Sequence, residues 1–147
     1  MFMFPATTKR VADNTAEEVN ARIRHQTEES VSCFASAGPV EIDRRLAELD
    51  QEWDLERVVE IGAPSVTLLW LLLGTNVNRK LLAIAALVQG FVILHALQGW
   101  FPVLPIFRRL GFRTSAEIDE ERNALKALRG DFREVSSPAK ALEAVRR

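Results

Sequence analysis

A single cysteine, Cys33, among 147 residues leaves the chain without an internal disulfide, a usage that fits a reducing compartment. Net charge is only -1, so the basic excess of a nucleic-acid-binding face is missing and no nucleic-acid partner is expected. Seven glycines and six prolines are too few for a low-complexity chain. Met1 to Arg10 lacks an apolar core of useful length and a cleavage site, so no signal peptide is expected there. Glycine-rich phosphate loops, zinc-ligand spacings and nucleophile elbows are missing too. The expectation is a non-enzyme with no catalytic residues, no metal and no cofactor.

What the chain does have is segregation. A mean hydropathy of -0.01 and 27% charged residues describe an ordinary soluble protein on average. Yet from Ile61 to Phe107 the only charged residues are Arg79 and Lys80. Leu81 to Phe101 is a run of 21 residues without formal charge; at about 1.5 Å per residue it covers roughly 30 Å, the thickness of a hydrocarbon core. Its eleven Leu, Ile, Val and Phe residues favour insertion by about 3–7 kcal/mol before the polar costs of Gln89, His95 and Gln98. Val58 to Gly74 is a weaker stretch, interrupted by Pro64, whose missing N–H predicts a kink near Glu60. Gly74-Thr-Asn-Val-Asn78, closed by Arg79 and Lys80, is a turn between them.

The predicted fold is therefore all-α, a two-span transmembrane helical hairpin flanked by amphipathic cytosolic helices. It divides into an N-terminal arm and helix (1–38), an amphipathic juxtamembrane helix (39–57), the hairpin (58–107, spans about 58–74 and 81–101) and a C-terminal helical region (108–147). Residues 1–14 read as a loose arm. Thr15 and Glu18 form a capping-box pattern before a helix over about 16–31. Pro39 suits the first position of the next helix, in which Ile42, Leu46, Leu49 and Trp53 recur at 4, 3 and 4 residues and share one face. Thr114 and Glu117 open a later helix, in which Ile118, Leu125, Leu128 and Phe132 form a stripe at 7, 3 and 4 residues. The two stripes are expected to meet, within one chain or between chains. Soluble core helices are the alternative fold, for which 21 uncharged residues is long.

Orientation follows from Lys and Arg. Arg44, Arg45, Arg57, Arg108, Arg109, Arg113 and Arg122 flank the spans on the side of both termini, against Arg79 and Lys80 in the hairpin loop. Seven against two puts both termini in the cytoplasm, with Trp70 near the outer interface and Trp100 near the inner one.

Three features could carry more than packing. Ala86 and Gly90, with Ala83 on the same face, make a small-xxx-small pattern that suits either a dimer face or packing against the first span. His95 is ionisable inside an apolar run, hence a candidate haem, metal or proton-relay residue, although only Gln98 is polar at helical spacing from it; a hydrogen-bonded packing histidine is the plainer reading. Cys33 follows Glu28 and Glu29, a setting that keeps a thiol inert.

Gly74-Thr-Asn-Val-Asn-Arg-Lys-Leu-Leu, Leu97-Gln-Gly-Trp-Phe-Pro102 and Arg108-Arg-Leu-Gly-Phe-Arg-Thr114 together resemble the YgaP-like transmembrane domain family, a bacterial inner-membrane domain of unknown function. The similarity covers roughly Arg57 to Thr114, and Ala127-Leu-Arg-Gly-Asp-Phe132 looks like an extension seen in some members. The resemblance implies a two-helix hairpin in the inner membrane that tends to associate. Some relatives carry it behind a rhodanese sulfurtransferase domain; this chain has no room for one, no arginine follows Cys33, and Phe101 stands where relatives often have a cysteine. The expected function is a small integral membrane protein of the bacterial inner membrane, an oligomerising scaffold or accessory subunit whose partners are the lipid bilayer, further copies of itself and a membrane or cytosolic protein. The alternatives are a redox- or sulfur-linked membrane component using His95 or Cys33, and an oligomeric channel or transporter.

Overall fold

Sequence periodicity points to helices throughout, and the computed structural model, which describes residues 5–146, is all-α. The helices are α1 (Glu17–Phe34), α2 (Pro39–Gln51), α3 (Leu55–Asn76), α4 (Leu82–Gln98), α5 (Leu104–Arg109), α6 (Ser115–Arg129) and α7 (Pro138–Arg146). Short 3-10 turns cover Ala12–Asn14 and Arg79–Leu81. The chain forms two compact units, one from Met1–Asn20 with Trp53–Thr114, the other from Ala21–Glu52 with Ser115–Arg147. Sequence segregation places the divisions at 38, 57 and 107 instead. It cannot see that the arm belongs with the hairpin.

The first unit is built on α3 and α4, two long apolar helices that pack as an antiparallel pair. Asp54 starts α3 by accepting the Arg57 backbone N–H at 2.7 Å, and Leu55 N–H donates to the Arg113 carbonyl at 2.8 Å. At about 1.5 Å per residue the 22-residue α3 is roughly 33 Å long. It runs unbroken through Pro64. Ser65 and Thr67 donate their hydroxyls to the Ile61 and Ala63 carbonyls at 2.7 and 2.8 Å, so these polar groups are satisfied inside their own helix. Gly74 brings the two helices together at the turn, because a Cβ there would lie 2.5 Å from Leu82 Cδ2.

The end of α4 departs from expectation. The second span was read as far as Phe101, but the helix stops at Gln98 because Gly99 adopts φ 80° and returns its N–H to the His95 carbonyl at 2.7 Å. A side chain at Gly99 would also strike the Arg10 carbonyl oxygen, 2.2 Å from its Cβ. The reversal frees Phe101 to turn inward, where it joins Val11, Leu55, Val59 and Leu104 in a buried cluster. Helix α5 follows, with Pro105 in its first turn, where the sequence reading had only a helix end. Nor is the described part of the arm loose. Val11 is buried in that cluster, Asn14 donates to the Gln98 carbonyl at 2.7 Å, and Thr15 donates to the Val11 carbonyl at 2.8 Å.

In the second unit α2 and α6 bury the opposite kind of surface. Ile42, Leu46 and Leu49 pack with Ile118 and Leu125, and each such side chain removed from water contributes about 1.5–3 kcal/mol. Three residues of the expected stripes stay out. Trp53 lies beyond α2, which ends at Gln51 where Glu52 turns extended, and its ring is stacked 5.7 Å from the Arg57 guanidinium. Leu128 remains on the exposed side of α6, and Phe132 follows the helix, which Gly130 terminates at φ 94°. Charge pairs frame the interface: Arg122 with Asp50 at 2.9 Å, and Arg129 with both Asp43 and Asp131, which hold its guanidinium pKa above its usual value. Lys126 reaches the last turn of α7, donating to the Val145 carbonyl at 2.7 Å.

Candidate functional site

The α3–α4 pair leaves a space near the start of α3 and the end of α4. There Val58, Val59 and Gly62 of α3 face Val92 and His95 of α4, with Phe101 and Phe107 closing the space from below. The result is a cavity of about 310 Å³. Val59, His95 and Phe101 are its buried lining residues, while Val66 and Val103 are exposed. Aliphatic and aromatic side chains line all of it except at His95.

His95 is 6% exposed. Its ring stands edge-on to Phe101, with centroids 4.8 Å apart. Its Nδ1 is buried and meets no hydrogen-bond partner among the described residues. A buried ring nitrogen without a partner loses its hydration and gains nothing in exchange, at a cost of about 1–3 kcal/mol. The ring as a whole is held within the fold, with the Gly99 backbone as a hydrogen-bonding neighbour. Phe101 positions the ring, and it reaches that place only because Gly99 ends α4 early.

Arg108, on α5, is the most deeply buried polar residue described in this unit, 0% exposed. It donates to the Phe112 carbonyl and to Asn20 Oδ1, both at 3.1 Å. Asn20 in turn donates to the Ala12 and Thr15 carbonyls, so the arm, α5 and the exit segment are joined through one guanidinium. In the sequence Arg108 and Arg113 count only toward the positive flank that sets orientation; both are buried. The missed signal was Pro105 followed by four residues of helix, which turns Arg108 back toward the core.

The remaining candidates are dispersed. Ala83, Ala86 and Gly90 lie exposed on α4, and a Cβ added at Gly90 meets nothing within 4 Å, so this face is not the one that packs on α3. The packing face carries Ala85 and Gln89 instead, the latter donating to Thr67 Oγ1 at 2.6 Å. Cys33 is an exposed free thiol in the last turn of α1. His25 lies on the same helix and pairs with Glu29 at 3.5 Å in an exposed position. Among the described residues no three His, Cys, Asp or Glu side chains converge as a metal site. In the second unit Glu121 is fully buried, accepting from Ser30 Oγ at 2.6 Å and Arg45 Nε at 2.9 Å. The acidic run 117–121 reads from sequence as a solvated helix face; Glu121 departs from it because it falls between Ile118 and Leu125 on the buried side of α6, where Ser30 and Arg45 satisfy it.

Comparison with protein-family models, with curated proteins and with solved structures returns no match.

Proposed function

We propose that the chain is a small integral membrane protein in which α3 and α4 cross the bilayer as a hairpin, serving as an oligomerising, non-enzymatic scaffold or accessory subunit. One observation carries the membrane part. The most apolar 18-residue stretches of the two long helices are only 6% and 11% buried. Core helices of soluble proteins bury such surface. Here Leu68, Leu72 and Ile93 are 60%, 63% and 61% exposed, and Ile61, Leu69 and Leu87 are exposed beside them. A continuous bare apolar surface of this kind suits lipid tails, or another protein, and not water. The backbone is ready for that solvent, since Ser65, Thr67, Thr75 and Asn76 return their polar groups to carbonyls one turn earlier.

Both ends of a two-span hairpin lie on one side. The excess of Lys and Arg there supports cytoplasmic termini, and the resemblance of residues 57–114 supports a bacterial inner membrane. Association would use the exposed Ala83, Ala86 and Gly90 face, where small side chains permit close helix approach. The α2–α6 pair would remain in the cytosol and offer contacts to a protein partner.

Fractionation tests this directly. The expressed chain should stay with membranes through alkaline carbonate washing and enter solution only with detergent. Recovery as a folded, monodisperse species in plain buffer overturns the reading. A channel has little support, since Gln89 is engaged with Thr67. The alternative of a membrane component that uses His95 is favoured by one observation, the place of this ionisable side chain among the residues that line the α3–α4 cavity.

A further inference from the structure

We propose that α5 lies in the headgroup layer of the bilayer that α3 and α4 cross, with Ile106 and Leu110 inserted at the acyl boundary. The proposal rests on the membrane reading of the hairpin and adds a partner for a face that the spans do not account for. Its basis is an inverted helix. On α5 the charged Arg108 is fully buried, while Ile106 and, at the helix end, Leu110 are more than half exposed. Water selects the opposite arrangement, apolar side chains in and charge out. Arg108 is held inward by its bonds to the Phe112 carbonyl and to Asn20 Oδ1, so the apolar face is fixed outward and does not roll under.

The level of this face follows from length. Arg79–Gln98 is a run of 20 residues, about 30 Å of helix, the thickness of a hydrocarbon core. Gly99 then turns the chain, which leaves Trp100 and the exposed Val103 at the boundary. The segment that follows does not run off into the cytosol. Leu104 packs with Leu55 and Val59 of α3, and the Arg113 carbonyl accepts the Leu55 N–H at 2.8 Å. The segment is thus tied across the end of the pair where α4 stops and α3 begins. Trp53, half exposed beside the Arg57 guanidinium, belongs to the same end. Indole and guanidinium side chains prefer the headgroup level, where an apolar body meets a wet tip. Leu97, Trp100, Val103 and Ile106 are exposed in succession from the span into α5, so the face continues the bare surface of the hairpin and meets the same lipids.

Spin labelling of the full chain in vesicles of phosphatidylcholine and phosphatidylglycerol tests this. Cys33, exposed on α1, is replaced by serine, and one label at a time is carried by Ile106→Cys, Leu110→Cys, Leu68→Cys in the middle of α3, or Val40→Cys on α2. All four positions are exposed, so the labels fit without repacking. Collisions with oxygen, which concentrates in lipid, and with a nickel chelate, which stays in water, give the depth of each label. Ile106→Cys and Leu110→Cys should report about 5–10 Å into the headgroup–acyl boundary, shallower than Leu68→Cys, with nickel collisions severalfold below those of Val40→Cys. The proposal is overturned if both collide with nickel as freely as Val40→Cys. Shielding from oxygen and nickel alike overturns it too, because protein, a second copy included, then covers the face. With Leu68→Cys still deep, either result removes only the placement of α5 and leaves the hairpin reading standing. Free nickel collisions at Leu68→Cys sink both.

Discussion

The α3–α4 hairpin and the α2–α6 pair use similar aliphatic residues with opposite polarity of placement. In the α2–α6 pair the aliphatic stripe is inside and the charges outside, apart from Glu121, which Ser30 and Arg45 satisfy. In the hairpin unit the leucines are largely outside, while His95 and Arg108 are inside. On the proposed membrane reading, similar side chains give both patterns because the surrounding solvent sets which surface is buried. Water drives Ile42 and Leu125 together; a hydrocarbon surrounding leaves no reason to hide Leu68.

The comparison breaks most readily at Leu125. It is 0% exposed, and truncation leaves a cavity between α2 and α6. Leu125→Ala should cost about 3–4 kcal/mol, within the usual span for a buried leucine. Leu128→Ala, three residues on but on the exposed face, should cost under about 0.5 kcal/mol. Hydrogen exchange of the α6 amides measures both: protection should fall by a hundredfold or more in the first and barely in the second. Equal losses would mean that the stripe continues through Leu128 after all.

The contrast sharpens at Leu68. Arginine at this exposed position of α3 is harmless if water surrounds the helix and costs about 2.5–3.5 kcal/mol if lipid does. The matched control is Val40→Arg on α2, which is 76% exposed. We expect Leu68→Arg to cut the yield of membrane-integrated protein severalfold and Val40→Arg to leave it unchanged. If both variants accumulate like the parent, the two regions share one solvent and the hairpin is not in a bilayer.

How much of this was readable depends on the range of the interactions. The helical class, a turn ahead of Arg79 and the stripes through Ile42, Leu46, Leu49, Ile118 and Leu125 follow from local spacing, but α3 continues through Gly74 to Asn76, and Glu121, part of an acidic run that reads as a solvated face, is buried. Trp53 fitted the spacing of α2 but not its length, because Asp54 starts a new helix and the chain must bend before it. Counting charges carried the second span to Phe101, since an uncharged run does not register a left-handed Gly99. The cavity was hidden for the same reason: without that reversal Phe101 stays on the helix and never meets His95. Arg108 was illegible because its partner Asn20 is 88 residues away. A short helix after two prolines can aim an arginine to solvent or to the core, and only the tertiary partner decides.

The subtlest difference between the regions is how each helix treats its small residues. Gly74 is needed for contact within the chain, whereas Gly90 touches nothing. Replacing Gly90 with leucine should therefore leave the fold intact, within about 0.5 kcal/mol, a typical surface change. If Ala83, Ala86 and Gly90 seat a second copy, the same replacement holds the two backbones apart and should abolish the cross-linked dimer in lipid. Leu87→Ala on the neighbouring exposed face controls for a general loss of apolar surface and should leave the dimer in place. A dimer that survives Gly90→Leu but disappears with Leu87→Ala would move the association surface to the leucine face. Persistence in both variants would take α4 out of the interface altogether, leaving the bare side of α3, around Leu68 and Leu72, as the surface through which copies meet.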